Sequence, residues 1–262
     1  GSEDLFYAQV VADFLGTIHH SIIVKEQDFL DAIPEVIETI ESYDTTTVRA
    51  SVGNWMISKY IKENSDAKVI FNGDGSDELS GGYMYFHCAP SALDFDAECR
   101  RLLKDIHYFD VLRSDRSISS HGLEARTPFL DKKFVQDYLN ISCKVRYDYH
   151  KNKNGCEKYL IRSAFEGMLP KEVLWRTKEA FSDGVSSDKK SWFEVIHDYL
   201  KENYTPKYTD SIYSKMHNPP KTLEQKYYRD IFNEKFPTFD NVIPYFWMPK
   251  FVNATDASAR TL

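Results

Sequence analysis

Cysteine, long apolar runs and basic charge are all scarce in this sequence, and each scarcity excludes a class of protein. Four cysteines occur among 262 residues, with no CxxC pair and no histidine pair at zinc spacing near them. Such scattered positions are typical of reduced thiols in a cytoplasmic protein. We therefore predict a cytoplasmic location and no cysteine-bound zinc.

Membrane and nucleic acid are not expected as partners. No apolar run approaches the roughly 20 residues that cross a bilayer, and no basic segment followed by an apolar one begins the chain. Lys and Arg number 33 against 40 Asp and Glu, which gives a net charge of -7. Binding to a phosphate backbone needs a basic surface, and this balance is mildly acidic.

The first third of the chain alternates between helical and strand patterns, which predicts a parallel sheet covered by helices. Apolar spacing and β-branched runs indicate helices near 5–15, 30–40 and 45–62 and strands at 18–24 and 68–72. His19 and His20 fall in the first of these strands. Neighbouring strand side chains face opposite ways, so we interpret the two histidines as structural rather than metal-binding.

From about Asp94 onward the strand signal fades and amphipathic helical patterns follow. These lie near 94–113, 132–140, 157–166, 188–203 and 222–235. We therefore predict an α/β fold in which an α/β part, residues 1–92, precedes a mainly helical part, residues 93–262.

The strongest local signal is the turn Gly73–Glu78, which directly follows the second predicted strand. Two glycines let the backbone approach a ligand closely, and three carboxylates in six residues need donors or a cation to offset their repulsion. Hard oxygen ligands at a strand end suit Mg²⁺ with substrate phosphates. The alternative is an acidic, solvated turn that caps a helix through Ser76 or Asp77.

Three further clusters could bind an anion. Lys178 lies among aromatic residues and could face a developing phosphate charge, or it is a surface lysine beside a turn. Arg126 could clamp a carboxylate or phosphate, or it forms an ion pair with Glu124 or Asp131. Clustered hydroxyls before the helix near 45–62 are first of all caps, but with a nearby arginine they also suit an anion.

These clusters, in this order, resemble the synthetase domain of the glutamine-hydrolysing asparagine synthetases. The strand-turn segment 69–78 is similar to that family's Gly-(Glu/Asp)-Gly-Ser-Asp-Glu signature, and 83–90 to its Tyr-x-Tyr-Phe-His-x-Ala-Pro continuation. The segments 121–131, 175–184 and 247–262 also match family patterns. The resemblance covers essentially the whole chain and implies an adenine-nucleotide α-hydrolase-like fold with ATP and Mg²⁺ as cofactors.

The resemblance also implies a reaction. ATP would adenylate the β-carboxylate of aspartate, and ammonia made from glutamine would attack β-aspartyl-AMP to give asparagine. Asp74 would be the family's intermediate-forming carboxylate, Lys178 would stabilise charge during adenylation, and Arg126 would order the aspartate pocket.

The remaining implied roles concern the nucleotide and pyrophosphate. Asp77 would bind Mg²⁺-pyrophosphate. The residues that would line the nucleotide or contact pyrophosphate or aspartate are Asn72, Gly73, Gly75, Ser76, Thr46, Thr47 and Arg49. The helical part, 93–262, would complete the aspartate and ATP site.

The sequence departs from the family pattern at several points. The Ser-Gly-Gly-x-Asp-Ser pyrophosphate loop does not occur in these 262 residues, and no N-terminal nucleophilic cysteine precedes a glutaminase fold. Asp74 stands where Glu is common, and Asn72 where Ser is frequent. We therefore expect a synthetase-domain fragment that does not make asparagine alone, with a glutaminase and phosphate-loop portion or a homodimer as partner.

Two alternatives remain open at this point. One is a non-catalytic remnant that binds a partner chain or ligand through an uncovered sheet edge. The other is a related amide-forming ligase such as a β-lactam synthetase.

Overall fold

A computed structural model describes residues 3–152, 156–178, 191–255 and 257, and it is mainly helical around a small parallel sheet. In chain order the elements are α1 Glu3–Leu15, α2 Glu26–Ile40, α3 Thr45–Asn64, β1 Val69–Phe71, α4 Ser76–Ser80, α5 Ala92–Asp105, α6 Asp110–Ser119, β2 Glu124–Arg126, α7 Lys132–Asn140, α8 Cys143–Asn152, α9 Tyr159–Ala164, α10 Lys171–Leu174, α11 Trp192–Asn203, α12 Asp210–Tyr213 and α13 Leu223–Lys235. Short 3₁₀ turns occupy Met84–Cys88, Ile106–Tyr108 and Pro128–Leu130.

The sheet of the described chain has two strands, β1 and β2, which pair in parallel. Ile70 lies opposite Ala125, and the Asn72 amide donates to the Arg126 carbonyl at 3.0 Å. An α/β chain with a parallel sheet was predicted, and this pairing confirms it. The prediction that strands give way to helices after about residue 94 is wrong at β2. A three-residue strand of Glu, Ala and Arg carries no apolar pattern that would reveal it.

The strand predicted at 18–24 is also wrong. The structure has no strand there, and Ile18 and Ile23 are 89% and 90% exposed. β-branched residues favour a strand only where a neighbour pairs with them, and the two described strands pair with each other instead. His19 therefore does not lie in a strand, and its Nδ1 is 2.9 Å from Gln9 Oε1 on α1.

The predicted helices are largely confirmed. α2 continues through Pro34, and the predicted helix near 94–113 consists of α5 and the start of α6, separated by a 3₁₀ turn. The beginning of the helix predicted at 188–203 lies outside the described residues, and α8 was not predicted. None of the described helices is long and apolar enough to cross a membrane.

Two hydrophobic clusters form the core. The larger cluster joins α2 and α3 with α11 and α13, so residues before 92 and after 192 share one core. The smaller cluster gathers aromatic side chains of the segment after α4, of α5 and of the region near Trp247. The division of the chain at residue 92 stays a prediction.

α3 begins at Asp44, a buried N-cap residue. Its Oδ2 accepts hydrogen bonds from the Thr47 amide at 2.9 Å and the Thr47 hydroxyl at 2.8 Å, and its Oδ1 accepts one from the Trp247 amide at 2.8 Å. Burial raises the pKa of Asp44 to about 6, since these donors only partly replace the water that the carboxylate loses. The cap thus fastens a distant part of the chain to the start of α3.

This cap predicts a pH dependence of stability. The pKa of Asp44 is higher in the fold than its ordinary value of 3.8, so its contribution is present at low pH and is lost as the pH rises through 6. Relative to Asp44→Asn, the unfolding free energy of the unchanged chain should fall by about 3 kcal/mol between roughly pH 4 and pH 7. Urea unfolding of the two chains measures this difference in unfolding free energy. The exposed Asp31→Asn should show no such trend, and a pH-independent difference for Asp44→Asn would contradict the cause given.

Candidate active site

A cavity of about 410 Å³ opens at the carboxyl end of β1. Its walls come from α3, from β1 and the turn that follows, from α6, and from Lys178 and Trp247. Ligands of open parallel sheets bind beyond the carboxyl ends of strands, so this is the place where the sequence predicted a site.

The turn after β1 is shaped by its own side chains and by glycine. Asn72 Oδ1 accepts a hydrogen bond from the Asp74 amide at 3.1 Å, while Asn72 Nδ2 donates to Ser114 Oγ on α6 at 2.8 Å. Gly75 has φ +85°, and a Cβ there would lie 2.3 Å from Leu130 Cδ2. The backbone therefore needs glycine at this position.

Asp77 sits between two lysines. Lys158 Nζ is 2.9 Å from its Oδ1, and Lys178 Nζ is 3.1 Å from its Oδ2. Burial would raise the pKa of Asp77, but the two ammonium groups outweigh burial and hold the pKa below its usual range. The solvated-turn interpretation of this segment is therefore wrong, because the Asp77 side chain is only 19% exposed and two cations hold its carboxylate.

Glu78 is buried beside a second carboxylate. The Tyr83 hydroxyl donates to Glu78 Oε1 and lies 3.4 Å from Asp110 Oδ2. Burial raises the pKa of Glu78, and the nearby Asp110 carboxylate raises it further. Burial and this neighbouring charge thus both favour the protonated form of Glu78.

Arg113 on α6 connects this pair to Asp74. Its Nε and Nη2 donate to Asp110 Oδ1 at 3.0 and 2.9 Å, and its Nη2 is 3.4 Å from Asp74 Oδ1. The cavity therefore carries the Lys178 ammonium group beside Asp77, together with carboxylates arranged by Arg113.

Most of the predicted site residues meet in this cavity. Those that line it are Thr46, Asn72, Gly73, Asp74, Gly75, Asp77 and Lys178. Lys178 is largely buried against Asp77, so the interpretation as a surface lysine is wrong. The part of the predicted loop from Glu179 to Gly184 lies outside the described residues.

Arg49 and Thr47, predicted to contact pyrophosphate or aspartate, have other partners in the fold. Arg49 Nε and Nη2 donate to the two carboxylate oxygens of Glu224 at 2.8 and 2.6 Å, and both side chains are buried. The Thr47 hydroxyl donates to Asp44. Neither residue lines the cavity, because α3 turns their side chains toward α13 and the cap instead of toward β1.

Arg126 and Ser76 also lie apart from the cavity lining. Arg126 Nη2 pairs with Glu124 Oε1 at 2.7 Å on an exposed face, as the ion-pair alternative predicted. Ser76 is buried at the start of α4, whose N-cap residue is Gly75. The roles that the resemblance implies for these residues stay predictions.

The donor set does not fit a resident metal ion. No group of three or more His, Cys, Asp or Glu side chains suited to a metal occurs in the described ranges. The Asp77 carboxylate, predicted as the Mg²⁺ ligand, already has an ammonium group on each oxygen. The fold thus neutralises Asp77 without a metal, and Mg²⁺ stays a prediction.

Sequence reasoning missed Lys158, and it did not assign Glu78, Tyr83, Asp110 or Trp247 to the site. Lys158 precedes α9 with φ +57°, a left-handed conformation that is uncommon outside glycine. Lys158 stands between Glu157 and Tyr159 and not in a run of glycines or carboxylates, so no local signal marks it. Only the tertiary fold brings it to Asp77.

The fold and the cavity define an α/β chain with an anion-competent site at the end of a parallel strand. A sequence model of the asparagine synthase family matches residues 1–98 and 89–239, and the chain belongs to this family.

Curated relatives align with this chain along its whole length. The chain is 48% identical over 264 aligned residues to chicken (Gallus gallus) asparagine synthetase [glutamine-hydrolyzing], with 100% of this chain and 46% of that protein covered. The mouse (Mus musculus) and human (Homo sapiens) proteins of the same description are 48% and 47% identical at the same coverage. The chain thus spans about half the length of the curated relatives it matches.

The Arg49–Glu224 pair gives a prediction about stability. Glu224→Gln should lower the unfolding free energy by about 3–5 kcal/mol, because it removes a buried carboxylate that accepts two hydrogen bonds from the Arg49 guanidinium. The double change Arg49→Met with Glu224→Leu should restore much of this loss. Urea unfolding measures both, and Asp137→Asn in the exposed Lys133–Asp137 pair is the control that should change little. A small effect of Glu224→Gln would contradict the cause given.

Proposed function

We propose that this chain carries the aspartate-activating site of an asparagine synthetase. ATP transfers its AMP group to the β-carboxylate of aspartate with loss of pyrophosphate, and ammonia derived from glutamine replaces AMP to give asparagine. The observation that carries the proposal is the convergence of Lys158 and Lys178 on Asp77 at the end of β1. It occurs in a chain whose relatives are asparagine synthetases along its whole length.

The two lysines suit the phosphate chemistry of the first step. Transfer of a phosphorus-centred group depends mainly on positioning and on cations that neutralise the spreading charge. In the fold Asp77 pairs with both ammonium groups, and Lys178 itself lines the cavity. An entering phosphate competes with Asp77 for them, so the pair is preorganised for an anion rather than assembled by it.

Asp74 suits the second step. It faces the cavity from the turn after β1 and is oriented by Arg113. An attacking ammonia must lose a proton as the new C–N bond forms, and a nearby carboxylate can accept it. Asn72 and Gly73, at the end of β1, line the cavity where the nucleotide would bind. Arg126 would order the aspartate pocket only after leaving Glu124.

The wider predictions belong to the same proposal. The α/β part at 1–92 would belong to an adenine-nucleotide α-hydrolase-like sheet, and the helical part at 93–262 would complete the site. A glutaminase and phosphate-loop portion, or a second copy of the chain, would be the partner, in the cytoplasm. Mg²⁺ would enter with the nucleotide.

Nucleotide binding tests the proposal. Titration calorimetry with ATP should show that Lys178→Met and Lys158→Met each raise the Kd about tenfold, because each removes one charge-assisted contact to a phosphate. Lys133→Met, an exposed lysine on α7, is the matched control and should leave the Kd unchanged.

Unchanged affinity in both cavity variants would overturn the assignment of this site. Supplied with aspartate, ammonium and Mg²⁺ as well, the 262 residues should form neither AMP nor asparagine by themselves, since the phosphate-loop motif is not among them. Detection of both products by chromatography would contradict that expectation and leave the assigned reaction in place.

Exposed apolar side chains favour a second candidate, a non-catalytic chain that binds a partner. Phe71 and Val69 on β1 are 75% and 43% exposed, and Ile57 on the adjoining α3 is 47% exposed. Such side chains at a sheet edge suit the addition of another strand.

This candidate predicts association and binding of an apolar dye. Sizing chromatography with light scattering should show an oligomer, and the dye should fluoresce with the free chain. Phe71→Ser with Val69→Thr should reduce both signals, whereas Phe239→Ser, at a distant exposed site, should not. A single monomeric peak without dye fluorescence would exclude this function.

A further inference from the structure

A long segment near the end of the described chain crosses the molecule to reach the cavity. We call residues 243–255 and 257 the strap. The carbonyl of Ile243 accepts hydrogen bonds from His217 Nε2 and Asn218 Nδ2, both at 2.9 Å, at the larger hydrophobic cluster. Trp247 then enters the smaller cluster. The strap therefore joins the two parts of the core.

The strap is fastened to the start of α3 at two points. The Trp247 amide donates to Asp44, the buried cap of that helix. The Thr46 hydroxyl donates to the carbonyl of Ala257 at 3.0 Å, and Thr46 itself lines the cavity. The wall of the cavity formed by α3 is thus held by the strap.

The indole of Trp247 supports the opposite wall. It is 3% exposed, lines the cavity and packs edge-to-face on Tyr83 with ring centroids 5.4 Å apart. The Tyr83 hydroxyl in turn donates to Glu78. Since protein interiors are close-packed, loss of the indole leaves part of the Tyr83 ring unpacked, with Tyr85 still stacked on it at 5.9 Å between ring centroids.

We propose that Trp247 is a positioning residue of this site and that docking of the strap is coupled to ligand binding. Through Tyr83 it fixes Glu78, and through Asp44 it fixes the start of α3. A ligand that needs both walls binds more tightly when the strap is docked, and by thermodynamic reciprocity it holds the strap in place. The coupling deepens the proposed function and rests on it, whereas the positioning does not.

Hydrogen exchange of the ligand-free chain, followed by mass spectrometry, tests the positioning. Trp247→Ala should speed amide exchange in residues 76–86 about tenfold, and Trp247→Phe should restore slow exchange because it keeps an aromatic ring on Tyr83. The matched control is Trp192→Ala. Trp192 is 5% exposed, packs on Phe29 in the larger cluster and does not line the cavity.

The control separates positioning from general destabilisation. Trp192→Ala should lower the Tm but leave exchange in 76–86 unchanged. The positioning role would be overturned if amide exchange in residues 76–86 were equally fast in the two alanine variants. It would also be overturned if Trp247→Ala did not speed exchange there. If Trp247→Ala does not fold, Trp247→Leu takes its place with the same outcomes.

ATP binding tests the coupling. Trp247→Ala should raise the Kd for ATP about tenfold, and ATP should slow exchange in residues 247–255 of the unchanged chain. An unaltered Kd with unaltered exchange in the strap would overturn the coupling. If the unchanged chain binds no ATP, the proposed function and the coupling fail together, while exchange in 76–86 still decides whether Trp247 positions Glu78.

Discussion

The buried carboxylate of Asp44 is the interaction on which the rest of the structure depends. It has no cation beside it in the described part of the chain, and its charge is held by the donors of Thr47 and Trp247. Those donors belong to a helix start and to a segment 203 residues away in sequence. The Asp44 side chain therefore sets where α3 begins and where the strap crosses the molecule. Both α3 and the strap contribute to the walls of the cavity.

The cavity illustrates how a fold separates like charges. Asp77 stays ionised because two lysines reach it, whereas Glu78, the next residue, faces Tyr83 and Asp110 and favours its protonated form. Two adjacent carboxylates thus differ in protonation within one low-dielectric site: Asp77 favours its ionised form and Glu78 its neutral form. Under the proposed function, an anionic ligand would meet Lys178, and the carboxylates beside Arg113 would serve proton transfer.

Local patterns predicted a good part of this arrangement. Helical spacing located α2, α3, α7 and α13 to within a few residues, because apolar residues recur in each of them at the period of a helix. The Gly–Asp–Gly turn after β1 marked the site, since glycine is needed where Gly75 meets Leu130. The strand predicted from the β-branched run at 18–24 is wrong, because strand formation depends on a pairing neighbour that a local pattern does not contain.

The sequence by itself determined the family, the strand-turn that lines the cavity, and the choice of Asp74, Asp77 and Lys178 as candidate site residues. These are local features in which residue type and spacing carry the information. Tertiary structure alone decided that Arg49 pairs with Glu224, that Lys158 joins Lys178 on Asp77, and that Trp247 closes the wall. Each of these contacts joins residues at least 81 positions apart (158 to 77 being the nearest). The physical reason is that partner choice for a buried charge or ring is set by which elements pack together, and no short stretch of sequence records that.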